Sequence, residues 1–533
     1  MRIISHKGSK ILRITGYGLG FILYLCNMKI LTGNQFRELD RYTIEHEPVP
    51  SIQLMERAAQ ALAEEIKKRW GKERRIYVFA GPGNNGGDGL ALARLLSQEG
   101  YHVDAWVFNV KGTLTTDCQR NLERLRNVKG VEVTEVKQGF DFPPIQTEDV
   151  VIDALFGTGL NSALNGGFAQ VVHKINATKA QVVSIDMPSG LMSEDNTYND
   201  RNNIIRATLT LTIQMPKLAF MLGDNEPCVG EWKAVDIGLS AEGQKKLPTP
   251  FILTDRADLQ EMLLPRPAFA HKGTFGHALL VAGSQGMAGA AILATRGCLR
   301  SGVGKVTLHT AATNSPLVQI SVPETIVAAD ANPRLISECL PLKPYAAVGI
   351  GPGLGQDDLT AEALHQYLAL SNAPLVIDAD AINLLAQHTD WQTLIPQSSI
   401  LTPHPKELER LTGRCATDYE RLAKAMELAI QRQLYIVLKG HHTAVCTPLG
   451  RVFFCPAGNS GMATAGCGDV LTGILTGLLA QGYRPREAAL LGVWLHATAG
   501  DLAAQESEPE CLLASDLIAH LPGAFKQLKE KNH

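Results

Sequence analysis

Several common signatures are scarce or missing from this chain. Aromatic residues make up 6% of its 533 positions, and 50 Lys and Arg stand against 53 Asp and Glu, a formal net charge of −3. The charges are interspersed rather than grouped, which excludes the basic footprint of a nucleic-acid surface. The ten cysteines lie far apart, with no CxxC pair and no histidine spacing for zinc, which fits reduced thiols in a cytoplasmic protein. No segment is long and apolar enough to span a bilayer, and no period of roughly 20–50 residues marks a solenoid. The apolar stretch 11–26 is broken by Gly16, Gly18 and Gly20 and ends without a small-residue cleavage pattern, so neither a signal peptide nor an anchor is expected. Residues 1–27 are expected to be a non-native or disordered extension ahead of Met28. These absences favour small-molecule partners, with no nucleic acid and no membrane; a homo-oligomer is expected, although no feature of the sequence fixes the oligomeric state.

The length allows two enzyme-sized domains. Helical spacing runs through 32–70, with Met55, Ala58, Leu62 and Ile66 on one face. Short apolar runs at 76–80, 103–108, 150–154, 182–185 and 207–213 then alternate with amphipathic stretches. Strands buried on both faces between helices imply a mostly parallel, doubly wound α/β sheet. A polar, Pro-containing segment at 241–250 is the expected linker between a domain at 28–240 and one at 251–533. The second domain shows the same alternation, with strands expected at 277–281, 305–309, 346–350, 375–377, 399–402 and 436–438, and helices closing the chain at 469–480 and 486–504.

The stretch NSGMATAGCGDVLTG, from Asn459 to Gly473, runs a glycine-rich loop into a helix start with Asp469 in its first turn. Gly466 and Gly468 lack a Cβ, so backbone N–H groups can converge on a phosphate at the positive end of the helix dipole, beside an acid. A plain turn with an ordinary N-terminal acid is the competing interpretation. In the first domain, GPGNNGGDG at 81–89 follows a strand and is expected to be a loop of exposed amides; its spacing is not GxGxxG, and a merely structural turn is the alternative. Asp153 and Asp186 end two further apolar strands, in DALFGTGL and DMPSG, and point to one crevice, although a strand-end Asp beside Gly also serves as a cap. In the second domain, the turns at 283–291, 349–355, 402–407 and 439–443 follow strands. His404, between two prolines, is either rigidly aimed at a ligand or structural.

GPGNNGGDG, DALFGTGL and DMPSG, in that order behind a helical lead-in, resemble the NAD(P)H-hydrate epimerase family over about 28–239. That resemblance implies a Rossmann-like fold, interconversion of the R and S hydrates of NADH and NADPH at C6 of the nicotinamide ring, and bound K+. Carried over, Asn84, Asn85, Gly86, Gly87 and Asp88, and Gly157, Thr158, Gly159, Leu160, Asn161, Ser162 and Ala163, contact the hydrate. Asn85, Asp153 and Ser189 hold K+, a cation suited by oxygen donors, and Asp186 contacts substrate as the candidate acid/base.

From about residue 250 onward the loops resemble the ADP- or ATP-dependent NAD(P)H-hydrate dehydratases, a branch of the ribokinase-like fold, and the fused order is itself a family arrangement. The resemblance implies that the S hydrate loses water while ADP is hydrolysed to AMP and phosphate with Mg2+. Ala290, Gly353, His404 and Asp469 correspond to hydrate contacts. Lys439, Gly440, His441, His442 and Thr443, with Asn459, Gly461, Met462, Ala463, Thr464, Ala465, Gly466, Cys467 and Gly468, correspond to the nucleotide site. Asp469 is the candidate catalytic base, because phosphorylating the C6 hydroxyl turns a poor leaving group into phosphate. Cys467 stands where the family often has Thr, and Gly286-Met287 replaces a commoner aromatic-containing turn; the thiol is either activated by the helix end or buried and inert. A ribokinase-like small-molecule kinase fused to a nucleotide-binding module is the rival.

Overall fold

The computed structural model describes residues 28–47 and 49–530, so the extension expected at 1–27 lies outside the described residues. Two compact units divide at Thr249 and Pro250.

The N-terminal unit opens with helices Gly33–His46 and Ser51–Arg69; Thr32 caps the first, its side chain and that of Gln35 exchanging bonds with each other's backbone. Seven strands follow: β1 Arg75–Ala80, β2 His102–Phe108, β3 Glu132–Val136, β4 Val150–Ala154, β5 Gln181–Ile185, β6 Leu209–Ile213 and β7 Glu231–Val235. All pair in parallel, in the order β7-β6-β5-β4-β1-β2-β3. The central strands are apolar on both faces because helices cover both sides. Edge strands β3 (EVTEV) and β7 (EWKAV) alternate apolar with charged residues, and a search for apolar runs passes over them. The scarce aromatics are concentrated here: Phe79 stacks on Trp106 and Phe142, and Phe156 meets Phe168 edge-on at 4.8 Å. The order reverses between β1 and β4, so the connections leaving these two strands part and leave a crevice at their carboxyl ends, the usual ligand position in such Rossmann-like sheets.

Where a linker is expected, Ala241–Lys246 forms a helix capped by the Ser240 side chain, and Gly243 lies against Leu39 and Tyr42 of the first helix. Its charged composition describes the outer face; the inner face packs through a residue with no side chain.

The C-terminal unit contains β8 Phe251–Leu253, β9 His277–Val281, β10 Lys305–Thr310, β11 Ile326–Ala329, β12 Ala347–Ile350, β13 Leu375–Ile377, β14 Ile400–Leu401, β15 Tyr435–Leu438, β16 Ala444–Cys446 and β17 Val452–Phe454. They run in the order β11-β10-β9-β12-β13-β14-β15-β16-β17-β8, parallel except where β16 pairs antiparallel with both neighbours. The reversal again flanks the first strand of the parallel series, between β9 and β12. Helix Ala514–Lys529 was not expected, since Pro522 and Gly523 interrupt its pattern; burial of Leu517, Ile518, Leu521, Ala524 and Leu528 outweighs the breaker residues.

Helix Cys467–Ala480 is buried almost all round and meets helix Ala288–Arg300 through glycines. A Cβ on Gly473 would lie 1.9 Å from the Ala294 carbonyl oxygen, one on Gly477 2.0 Å from Ser301 Oγ, and one on Gly297 2.6 Å from the Val470 carbonyl oxygen. Gly473→Ala is therefore expected to lower the melting temperature of this unit, an overpacking cost of about 1–3 kcal/mol exceeding the helix-propensity gain of about 1 kcal/mol. Gly289→Ala, in the same pair of helices but with nothing within 4 Å of the added methyl, is expected to raise it. Thermal melts of both variants check the contrast, and a Gly473→Ala protein at least as stable as wild type contradicts it.

Candidate active sites

The glycine-rich run after β1 is not the exposed loop expected. Helix Asn84–Gln98 begins inside it, with Gly83 as N-cap, and Gly86, Gly87, Asp88 and Gly89 are buried. Gly86 is held to glycine because a Cβ would lie 1.9 Å from the Gly81 carbonyl oxygen, and Gly89 because one would lie 2.5 Å from the Ala154 methyl. These contacts draw the helix N-terminus into the gap between β1 and β4, where its dipole favours an anion. Asn84 is exposed at its start.

Asp153, at the end of β4, is fully buried. It accepts from Ser184 Oγ (2.7 Å), Ser189 N–H (2.8 Å) and Ser189 Oγ (2.5 Å). Burial raises its carboxyl, and the serine bonds oppose that. Ser189 Oγ also receives the Phe156 N–H at 2.8 Å, so Asp153 and Ser189 tie the ends of β4 and β5 together. Asn85 stands apart from this network: its amide oxygen and nitrogen are both buried without a hydrogen-bond partner. An orphaned buried amide costs about 1–3 kcal/mol, and its oxygen, like those of Asp153 and Ser189, is of the donor type a monovalent cation takes.

Asp186 follows β5 with φ 66°, a conformation that Asp tolerates better than most residues. Its Oδ2 accepts the Thr158 N–H (3.1 Å), and a Cβ on Gly157 would lie 2.9 Å from that oxygen and 3.1 Å from Asn85 Oδ1. Asn85, Asp153, Gly157, Thr158, Asp186 and Ser189 thus form one connected cluster. Leu160 packs partly into the neighbouring core, whereas Gly159, Asn161 and Ser162 lie on the exposed rim of the loop, with Ala163 half-buried beside them. Two charged groups, Lys217 and Asp40, join the cluster without having been expected, beside Asp88, which was. Lys217 is fully buried with Nζ 2.6 Å from Asp186 Oδ1. Burial, with the Asp186 charge, pushes the Asp40 carboxyl up to about 6, and burial followed by Asp186 and Asp40 raises Asp88. Nothing local in MPKLAF signals that its lysine is buried.

In the C-terminal unit the turns after β9 and β12 interlock: Gly283 N–H donates to the Pro352 carbonyl oxygen (2.9 Å) and Ser284 N–H to that of Gly353 (2.7 Å). Gly353 has φ 59°, and a Cβ there would lie 3.1 Å from Ala290 Cβ, so these two expected contacts meet at one point. His404 caps helix Pro405–Thr412. Its Nδ1 accepts the N–H groups of Lys406 and Glu407 at 3.1 and 3.3 Å, which leaves the half-exposed Nε2 3.3 Å from Glu407 Oε1.

Gly466, φ 95°, is the N-cap of helix Cys467–Ala480, and Asp469 lies in its first turn. Burial, reinforced by the charge of Asp378 and opposed by Lys439, raises the Asp469 carboxyl to about 7. Asp378 ends β13 as Asp153 ends β4, a position that could have been singled out by the same rule but was missed. It is buried, with Lys439 Nζ 2.9 Å from Oδ1 and Thr472 Oγ1 donating to Oδ2 at 2.7 Å. Burial pulls the Lys439 ammonium down, but Asp378 and Glu407 more than offset it. Gly468 is the spacer that admits Lys439, whose Nζ is 3.4 Å from where its Cβ would be. Gly440, His441, His442 and Thr443 form the turn from β15 to β16, closed by Thr443 Oγ1 donating to the Gly440 carbonyl oxygen at 3.0 Å; burial lowers His442 to about 4. Asn459 is anchored by Nδ2 to Asp501 (3.0 Å) and accepts the Gly461 N–H (3.0 Å), while Met462 tucks its sulfur against Gly458 and Gly500. Ala463 and Ala465 are exposed and Thr464 half-buried ahead of the helix. Burial pushes the Cys467 thiol up to about 11, the direction of the buried alternative and opposite to activation by the helix end. Its carbonyl oxygen accepts from His496 Nε2 at 2.9 Å; burial holds that ring neutral, near 4.

Residues 51–219 match the family model described as YjeF-related protein N-terminus, and residues 278–523 the model described as NAD(P)H-hydrate dehydratase. The bifunctional NAD(P)H-hydrate repair enzyme Nnr of Moorella thermoacetica is 36% identical over 524 residues, 95% of this chain and 98% of that one. The enzyme of the same name from Coxiella burnetii is 33% identical over 509 residues, 93% of this chain and 99% of its own. Among solved structures, the ADP/ATP-dependent NAD(P)H-hydrate dehydratase of Bacillus subtilis is 33% identical, covering 52% of this chain and 98% of that one, with a TM-score of 0.45. Matched at this identity over nearly its whole length, the chain belongs to the family of bifunctional NAD(P)H-hydrate repair enzymes.

Proposed function

We propose that the N-terminal unit interconverts the R and S hydrates of NADH and NADPH, and that the C-terminal unit dehydrates the S form at the expense of ADP. The observation that carries the second step is Asp469: a carboxyl raised to about 7, at the N-terminus of a buried helix, beside a buried Lys–Asp pair. A base whose carboxyl titrates near the working pH both holds and releases a proton readily. Asp469 takes the C6 hydroxyl proton as the terminal phosphoryl group of ADP passes to that oxygen. The amides of the 465–468 turn face the transferring group, and Lys439 supplies a fixed positive charge. The phosphorylated oxygen leaves as phosphate, driven by the ring nitrogen lone pair, and the C5 proton passes to the departing phosphate, which restores the dihydropyridine. The balance is hydrate plus ADP giving NAD(P)H, AMP and phosphate, with Mg2+ accompanying the nucleotide phosphates. Ala290, Gly353 and His404 orient the ring.

In the N-terminal unit Asp186 is the acid/base beside C6, with Asn84 to Asp88 and the 157–163 loop around the hydrate. Asn85, Asp153 and Ser189 are the ligands proposed for K+; the unpartnered Asn85 amide supports the assignment. When bound, the ion supplies a compact positive charge that fixes the ends of β4 and β5. A small-molecule kinase is not favoured, because relatives matched over nearly their full length are repair enzymes.

A mixture of R and S hydrates incubated with ADP or with ATP is expected to recover reduced-nicotinamide absorbance completely, faster with ADP. Recovery of the S portion alone overturns the epimerase assignment. Asp469→Ala is expected to lower dehydration by about a hundredfold or more while epimerisation, followed by chromatography of the two hydrates, is retained. Because the base must be ionised and its carboxyl titrates near 7, the dehydration rate is expected to hold above that pH and to fall about tenfold per unit below it. A rate unchanged between pH 7 and 5 contradicts this role.

A further inference from the structure

Lys217 is one of the largest fully buried side chains among the described residues. Its Nζ lies 2.6 Å from Asp186 Oδ1, 2.7 Å from Thr212 Oγ1, 3.1 Å from the Ile213 carbonyl oxygen and 3.2 Å from that of Met215. Four acceptors share three N–H donors, so no donor is left for a substrate. Phe36, on helix Gly33–His46, closes the remaining side with its ring centroid 4.2 Å from Nζ. A buried ion pair contributes little to stability relative to an apolar pair of the same volume, so packing gives no reason for an ammonium here.

The two oxygens of Asp186 have different surroundings. Oδ1 takes the ammonium and lies 3.4 Å from the Ile213 amide nitrogen. Oδ2 accepts the Thr158 N–H and lies beside Gly157, where an added Cβ would meet both it and Asn85 Oδ1, on the side of the loops at the carboxyl ends of the strands.

We propose that Lys217 is the positioning residue of the epimerase site: by gripping Oδ1 it fixes the Asp186 carboxylate so that Oδ2 alone is presented to the C6 hydroxyl. The role rests on the epimerase reading of this unit. Oδ2 takes the C6 hydroxyl proton as the C6–N1 bond breaks to an open-chain aldehyde with the electron pair left on the ring nitrogen, and returns it when that nitrogen closes on the other face of C6, so that Lys217 gains and loses none. The neighbouring carboxyls Asp40 and Asp88 face the same pair, and both act electrostatically on Asp186 or Lys217. Without the ammonium three acidic groups would share one closed space, and Oδ1 would be free to rotate into the place of Oδ2.

A double-mutant cycle on the full chain tests this, with wild type, Lys217→Met, Asp186→Asn and the double variant compared for R-to-S conversion, each with its own kcat and KM. Lys217→Met is expected to lower kcat by about a hundredfold with KM within about twofold, and to add no further loss to Asp186→Asn, because groups that act as one unit are non-additive. Lys217→Arg, which keeps the charge, is expected to recover at least about tenfold of the loss. Dehydration of pure S hydrate by the same preparations verifies that the chain is intact, and should Lys217→Met not fold, Lys217→Arg is set against Lys217→Gln. Losses that multiply in the double variant, a Lys217→Met kcat within about threefold of wild type, or an arginine no better than methionine or glutamine overturns the positioning role. A wild-type chain that leaves R hydrate unconverted overturns the epimerase reading and this role with it.

Discussion

Both sheets reverse their strand order beside the first strand of their parallel series, and that reversal is the constraint from which the rest follows. Connections leaving a parallel strand normally cover its carboxyl end; where neighbouring connections depart in opposite directions, the end stays uncovered. In the N-terminal unit the gap lies between β1 and β4, and it is filled by a helix start stripped to glycine, a carboxylate tied down by two serines, and a loop whose amide holds Asp186. In the C-terminal unit it lies between β9 and β12, whose turns bond directly to one another, with Asp378 one strand further along. Polar groups collect there because the uncovered strand ends supply backbone and side-chain partners for them, which the apolar faces of the sheet do not.

Burying these groups then sets their chemistry. Asp40, Asp88, Asp153 and Asp469 are all pushed toward the protonated form, mainly by desolvation. What separates them is their partners. Asp153 is surrounded by donors and serves as a tether, whereas Asp469 has a neighbouring carboxylate and a lysine of opposing influence, and is left near 7. The same residue type is fixed as a tether or left to titrate near neutrality according to whether hydrogen bonds or charges surround it.

Much of this was legible in the sequence. Apolar runs ending in acid and glycine located the central strands, and the acids Asp153 and Asp186 stand at strand ends as expected. The misses have physical causes. Charged edge strands such as β7 need only one apolar face, the helix at Ala241–Lys246 looks like a linker because its inward contact is a glycine, and Pro522 hides a helix that packing stabilises. Glycines at 86 and 89 suggested exposed amides, but they serve close packing. Lys217 and Asp40 are near Asp186 only through the fold, and no spacing along the chain records that.

The glycine contacts between helices Ala288–Arg300 and Cys467–Ala480 make the second helix a strut with a calibrated seat. One end of that strut carries Asp469, and the other helix starts beside the Ala290–Gly353 contact. Gly473 and Gly477, about one and two turns beyond Asp469, therefore set how closely the helix carrying that acid approaches the helix that begins at Ala288. Side-chain volume added along this seam has no free space to enter, so it moves one helix start against the other and changes the spacing of the two turns they carry.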